Sequence, residues 1–316
     1  MKYRIGIDLG GTNIKIGIID EFGKIKSSTS IKTFAEDGME KTFIRIWNKV
    51  KEILESSNLS VEMVVGIGMG VPGAVIENKE VGFYANLPWE TGINVAEVME
   101  KISGKRVKLD NDANVWALAE SKYGAGKNYR TCVAVTIGTG IGAGICIEQK
   151  ILSGATGAGG ELGHIKVERD GKKCGCGQLG CFEAYASASG LVNEAKARLE
   201  QLQKSGKQHF FMKMDNLEAK EIFDSAKSKD KFSLELVDYE AEYLAQGLGN
   251  ILNIINPDVL ILGGGVALAG DVLLNPLKEK IKKFALPVVL KKMKIEVAQI
   301  GNESGIVGAA SLIDVE

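Results

Sequence analysis

No run of apolar residues in this 316-residue chain is long enough to cross a bilayer, which excludes a helical membrane protein. An excess of either charge is also missing. The net charge is −1, which argues against a nucleic-acid surface and against a highly charged disordered tail. Prolines number only five and no low-complexity tract occurs, so no flexible linker is expected. The loosest segments should be the Lys- and Gln-rich stretch at 201–213 and residues 227–231. Cysteines number five, an odd count in a long chain without secretory features. No signal peptide is evident, because a strand pattern starts at once. The expected compartment is therefore cytoplasmic, with the cysteines reduced or metal-bound. A Walker phosphate loop is absent too, since no G-x-x-x-x-G-K-[ST] string occurs.

What the chain does have is length for about two domains and 45% apolar residues to fill their cores. Near its start, "RIGIDLGGTNIKIGIID" alternates as two strands, Ile5–Leu9 and Ile14–Ile19, around Gly10, Gly11 and Thr12. Further on, helical spacing covers 38–57, 94–102, 113–123, 235–255 and 304–313. Strand patterns cover 63–69, 107–109, 259–262 and 295–300. This interleaving predicts an α/β protein with helices covering mixed sheets.

The opening pattern recurs. "VAVTIGTGIGAGICIE" (133–148) overlays the first stretch at a constant offset of 128, with Val133 on Ile5, Thr136 on Asp8 and Gly138 on Gly10. Duplication predicts two similar α/β domains with their glycine turns across a cleft. Glycines let backbone N–H groups approach a ligand, and Thr12, Thr136 and Thr139 add hydroxyl donors, which suits phosphate. Gly138–Ala143 also fits a loose G-x-G-x-x-A dinucleotide pattern. That motif must open a helix, and here the chain continues as strand.

In "KLDNDANVWALAE", Asp110, Asn111, Asp112 and Asn114 stand where a strand meets a helix. Asn111 or Asp112 could merely cap the helix. Four such residues exceed what a cap needs, and a carboxylate beside a phosphate cleft is a natural general base. In "GGELGHIKVERDGKKCGCGQLGCFEAYAS", His164, Cys174, Cys176 and Cys181 offer one imidazole and three thiolates within eighteen residues, a set that suits a closed, structural zinc site. Cys132 and Cys146 lie in strand patterns and read as core. Glu161 and Glu183 flank the ligands among small residues, where a charge needs a partner.

These strings, with "GMGVPGAV", "LGGGV" and "GIVGAA", resemble the ROK family (repressors, open reading frames and kinases), and within it the bacterial glucokinases. The likeness runs from Asp8 to Gly308. It implies a two-domain actin-like, hexokinase-type (ribonuclease H-like) fold with a cleft between the domains. The expected division is 1–112 plus 301–316 against 113–300. It also implies an ATP- and Mg²⁺-dependent kinase that phosphorylates a hexose 6-hydroxyl, with Asp112 as base. Residue by residue, Asp8, Gly10, Gly11 and Thr12 would form the first phosphate turn, and Gly138, Thr139 and Gly140 the second. Gly263, Gly264 and Gly265 would border the adenosine. Gly73, Asn86, Asn111, Asp112, Glu161, His164 and Glu183 would line the sugar, with His164 also on the zinc. Glucose is the expected sugar, with fructose, mannose, allose or N-acetylmannosamine as alternatives. The family makes a homodimer or homotetramer the expected assembly, and glycolysis the setting. A sugar-sensing repressor would carry an N-terminal helix-turn-helix domain, and only seven residues precede Asp8. A sugar-binding module without catalysis would have no reason to keep both phosphate turns.

Overall fold

A computed structural model describes residues 1–83 and 87–314. The chain divides into two compact units. One comprises residues 1–132, 144–160 and 298–316, the other 133–143 and 161–297.

The first unit is built on strands β1 (Tyr3–Leu9), β2 (Asn13–Asp20), β3 (Ile25–Lys32), β4 (Val64–Val71) and β7 (Val107–Asn111), in the order β3-β2-β1-β4-β7. A small hairpin, β5 (Ala74–Ile76) with β6 (Glu80–Phe83), forms a separate two-stranded sheet packed against β7. The expected opening hairpin is present, with Ile7 opposite Ile16 and Leu9 opposite Ile14. Strands β1, β4 and β7 then run parallel. Helices α1 (Met39–Ser56) and α2 (Val95–Ser103) supply Phe43, Ile46, Val50 and Met99 to the same core as Ile5 and Ile7 of β1. Side chains alternate along a strand, so Gly6 and Asp8 face the other way. Helices α3 (Asp112–Tyr123) and α11 (Ser304–Ala310) pack together, and α11 lies on β1 and β4. The approach is too close for side chains. A Cβ on Gly6 would lie 1.9 Å from the Ile306 carbonyl oxygen, and one on Gly68 1.7 Å from that of Ala309.

The second sheet has the order β10-β9-β8-β11-β12, formed by β8 (Thr131–Ile137), β9 (Ile141–Ile147), β10 (Lys150–Ile151), β11 (Val259–Gly263) and β12 (Lys294–Val297). Counted within each sheet, both orders are third, second, first, fourth, fifth. The 128-residue echo is thus realised as repeated topology. Cys132 and Cys146 are buried in β8 and β9, as their strand patterns predict. The second unit holds α4 (Glu183–Ala186), α5 (Ala188–Lys204), α6 (Ala219–Lys227), α7 (Lys231–Ile255), α8 (Gly264–Ala267), α9 (Asp271–Lys280) and α10 (Pro287–Leu290).

Two expectations shift. The stretch 201–213 is more ordered than its composition implies. Helix α5 runs to Lys204, and His209 packs against Phe211 and Phe232, with ring centroids 4.7 and 4.6 Å away. The strand expected over 295–300 stops at Val297, because the Gln299 and Ile300 N–H groups donate to the buried Glu120 carboxylate, at 2.9 and 2.8 Å.

The packing of α11 predicts that Gly68→Ala costs at least the roughly 1–3 kcal/mol typical of overpacked cores, measured by urea unfolding. A second prediction concerns Glu240 of α7. It is fully buried, and among the described residues neither carboxyl oxygen has a hydrogen-bond partner. Burial pushes its carboxyl well above the usual range, against a weaker opposing pull from the Lys172 ammonium. The folded state therefore keeps a proton that the unfolded chain releases. The resulting stability is complete below the ordinary carboxylate pKa and is lost as pH rises toward the folded value. Melting curves at about pH 5 and about pH 8 should show Glu240→Gln gaining on the wild type as pH rises. A gap independent of pH would show that Glu240 is ionised in the fold.

Candidate functional site

In the first unit, the turn between β1 and β2 is closed by the Gly10 N–H donating to the Asn13 carbonyl at 3.1 Å. Thr33, buried at the end of β3, braces it twice. Its hydroxyl donates to the Gly10 carbonyl at 2.7 Å and its N–H to the Thr12 carbonyl at 3.0 Å. With those carbonyls held, Gly11 and Thr12 stand exposed. Asp8 precedes the turn and lies against the start of α11, where a Cβ on Gly305 would come 2.6 Å from its Oδ2. Burial raises the Asp8 carboxyl above its usual range, and Lys15, its cross-strand partner, pulls it back in part. A carboxylate in that position gains from a nearby cation.

The junction of β7 and α3 separates three neighbouring side chains. Asp110 is buried, and its Oδ1 accepts from the Asn111 N–H and from Asn114 Nδ2, each at 2.8 Å. Its Oδ2 accepts from Asn78 Nδ2 at 3.3 Å. Desolvation still raises its carboxyl. Asn111 is the helix cap. Its Oδ1 accepts from the N–H groups of Ala113 and Asn114, and its Nδ2 donates to the Gly73 carbonyl at 3.0 Å. Asp112 is exposed in the first turn of α3, sharing the Ala113 N–H at 2.8 Å. The choice left open between Asn111 and Asp112 as cap is thus decided for Asn111. Gly73 and Asn111 are in contact, with Asp112 next along the chain.

In the second unit, the segment from His164 to Glu183 folds back on itself, with Val167 N–H bonded to the Gly180 carbonyl and Cys174 N–H to that of Gln178. Gly180 has φ +74°, and a Cβ there would lie 1.7 Å from the Glu168 oxygen, so only glycine fits. This fold gathers His164, Cys174, Cys176 and Cys181, whose ligating atoms all lie within 4.8 Å of one another. Sγ of Cys176 and Cys181 are 3.7 Å apart, and Cys174 Sγ is 3.8 Å from His164 Nδ1. A tetrahedron with metal–sulfur bonds of about 2.3 Å has edges of about 3.8 Å. The donor set therefore fits a tetrahedral soft cation. Without one, burial pushes the Cys174 thiol up to about 12, while the Gln178 N–H draws that of Cys176 down. Lys166 Nζ lies 2.9 Å from Cys181 Sγ, where its charge would offset the surplus of three thiolates around a dication. His164 turns its other nitrogen, Nε2, toward Glu161 Oε2 at 3.9 Å.

Glu183 is half-buried beside this cluster, and its Oε2 accepts from the Ile141 N–H at 2.8 Å. The Gly138–Gly140 turn adjoins the Gly263–Gly265 segment, since a Cβ on Gly264 would lie 2.4 Å from the Ile137 carbonyl oxygen. Gly264 has φ +80°, which a side chain would strain as well. Next to both lies a cleft of about 760 Å³, lined by Thr139, Gly265, Asn193, Leu217, Phe223 and Leu268. Asn86 lies outside the described residues. Three contributors escape sequence reasoning. Thr33 and the α5–α6 walls of the cleft act through long-range contacts without a local pattern. Lys166 could have been found two residues after a ligand histidine, where three thiolates call for a cation.

Comparison with known proteins accounts for these strings together. The sequence matches the ROK family over residues 4–316. A glucokinase of Thermotoga maritima is 35% identical over 310 residues, covering 98% of this chain and 96% of that one. The chain belongs to the ROK family. A ROK family glucokinase from Streptomyces griseus, solved in complex with glucose and AMPPNP, aligns with a TM-score of 0.77 at 31% identity, covering 98% of each chain. The architecture is accordingly the mixed α/β, actin-like fold of ROK sugar kinases. The family also holds regulators. A xylose repressor of Caldicellulosiruptor bescii is 27% identical over 313 residues, covering 98% of this chain and 77% of the repressor. Among the described residues, no helix is long and apolar enough to cross a membrane.

Proposed function

We propose that the protein transfers the γ-phosphoryl group of ATP to the 6-hydroxyl of a hexose, with glucose as the preferred sugar. The observation that carries this reading is the division of labour at α3. Asn111 caps the helix, so the exposed Asp112 carboxylate is not needed there as the cap. The sugar contacts are assigned to Gly73, Asn111, Asp112, Glu161, His164 and Glu183 by their match to the family strings. The Gly10–Thr12 and Gly138–Gly140 turns hold the phosphates through N–H and hydroxyl donors, and the cleft beside Gly263–Gly265 takes the adenosine.

In the reaction, Asp112 accepts the 6-hydroxyl proton as that O–H bond breaks. The sugar oxygen forms its bond to the γ-phosphorus while the bond to the β,γ-bridging oxygen breaks, and ADP leaves. The turns stabilise the charge on the transferring group. Mg²⁺, when bound to the phosphates, neutralises part of that charge, and Asp8 is the carboxylate best placed to hold it. Zinc is the cation that suits His164, Cys174, Cys176 and Cys181. Four protein ligands leave no open position, so its role is to fix the loop that presents Glu161, His164 and Glu183. The glucokinase relatives support glucose, whereas the repressor relative keeps a sugar sensor in view. ATP turnover separates the two.

The test is a panel of glucose, fructose, mannose, allose and N-acetylmannosamine with ATP. The highest kcat/KM is expected for glucose, and absence of turnover with every hexose would sink the reading. Asp112→Asn should lower kcat by about 10²–10⁴-fold while glucose titration and melting change little, because the amide still reaches the hydroxyl. A folded variant retaining more than about a tenth of wild-type turnover would remove Asp112 as base. Elemental analysis should find one zinc per chain. Substoichiometric zinc that persists unchanged in Cys176→Ser would refute the zinc site.

A further inference from the structure

The second glycine turn is held at both ends by one short segment. At its far end, the Ile141 N–H donates to Glu183 Oε2 at 2.8 Å. At its near end, the Gly138 carbonyl accepts from the Ala188 N–H at 2.8 Å. Between them, the turn closes on itself through Gly138 N–H and the Gly140 carbonyl at 2.9 Å. The fit around Glu183 is tight. A Cβ on Gly140 would lie 2.3 Å from Glu183 Oε2, and one on Gly163 would lie 2.6 Å from the Ile141 carbonyl oxygen. The other carboxyl oxygen of Glu183, Oε1, is 3.7 Å from Cys174 Sγ, inside the four-residue ligand cluster. One carboxylate therefore touches the turn with one oxygen and the cluster with the other.

We infer that Glu183 is a positioning residue for the Gly138–Gly140 turn. The inference rests on the kinase reading for what the turn holds, and it adds to the sugar contact proposed for Glu183. The first turn has its brace in Thr33, which holds carbonyls. The second has a carboxylate on an N–H, a charge-assisted bond that is stronger than a neutral one. The charge itself cannot help a phosphate, since like charges repel. Glu183 serves the nucleotide by geometry alone, and that separates its two substitutions. Glutamine keeps an oxygen for the Ile141 N–H and loses the charge. Alanine loses both.

Two measurements on the full chain read this out. ATP with Mg²⁺ is titrated without sugar, and amide exchange is followed at Ile141. Glu183→Ala should weaken ATP by about tenfold, the size of one lost hydrogen bond to a charged group, and should speed Ile141 exchange. Zinc content should stay at the wild-type level. Glu183→Gln should bind ATP within about threefold of wild type, with near-normal Ile141 exchange, even where glucose affinity falls. Should Glu183→Ala fail to fold, Gly140→Ala displaces the carboxylate from the other side and should give the same loss and faster exchange. Wild-type ATP affinity and exchange in Glu183→Ala would overturn the inference and leave only a sugar contact. An equal loss in the Gln variant would overturn it too, by showing that the charge is what matters. If the wild type fails to bind ATP, the kinase reading falls by itself, while Ile141 exchange still decides whether Glu183 braces the turn.

Discussion

Backbone packed directly on backbone is the constraint from which the rest of each unit follows. In the first unit, carbonyl oxygens of α11 occupy the space where side chains on Gly6 and Gly68 would stand, and Gly308 of α11 meets the Val115 carbonyl of α3 in the same way. Strands β1 and β4 are thereby pinned one residue pair away from their functional ends. Asp8 lies two residues beyond Gly6, on the same face, and so arrives at the start of α11 beside Gly305. In the second unit, Gly264 meets the Ile137 backbone immediately before the Gly138 turn. A larger residue at any of these contacts must move a main chain, and rigid interiors do not absorb such shifts cheaply.

Buried charge is managed in three different ways. The Glu120 carboxylate is satisfied by the N–H groups of Ala125, Gln299 and Ile300, and so ties distant parts of the first unit together. Asp110 is also surrounded by donors, yet its burial leaves it a costlier anion than an exposed carboxylate. Glu240 has no donor among the described residues, and burial raises its carboxyl well above the usual range. The cysteine loop is a fourth arrangement of a different kind. Its thiols repel one another once ionised, and the Lys166 ammonium, 2.9 Å from Cys181 Sγ, offsets part of that charge.

The parts of the architecture written in local periodicity were legible from sequence. The opening hairpin shows period-two apolar residues around a glycine turn, and its recurrence 128 residues later became a second sheet with the same strand order. The ligand cluster was legible because its four donors fall within eighteen residues. The remainder depends on contacts between residues far apart in sequence. Thr33 reaches back 23 residues to Gly10, and nothing in "SIKTFAE" signals it. The aromatic packing around His209 was hidden by polar neighbours, because Phe232 arrives from α7. The cleft walls come from α5 and α6, which sequence reading did not assign to a ligand.

The junction at Asp110, Asn111 and Asp112 shows why residue type alone could not assign its roles. Asparagine and aspartate cap helices about equally well, so either neighbour could have served. Strand alternation decides the first step. Asp110 points inward from β7 and is enclosed by Asn114, Asn78 and its own neighbour's N–H. The chain then turns into α3, and Asn111 is the half-in residue whose side chain meets the orphan N–H groups. Its amide has a donor to spare, and that donor reaches the Gly73 carbonyl, something a carboxylate could not do without protonation. Asparagine is thus the residue that can cap α3 and bond Gly73 together. Asp112, one step into the helix, projects outward at the positive end of the helix dipole. Three consecutive polar residues hold three unlike positions because the backbone changes from strand to helix between them.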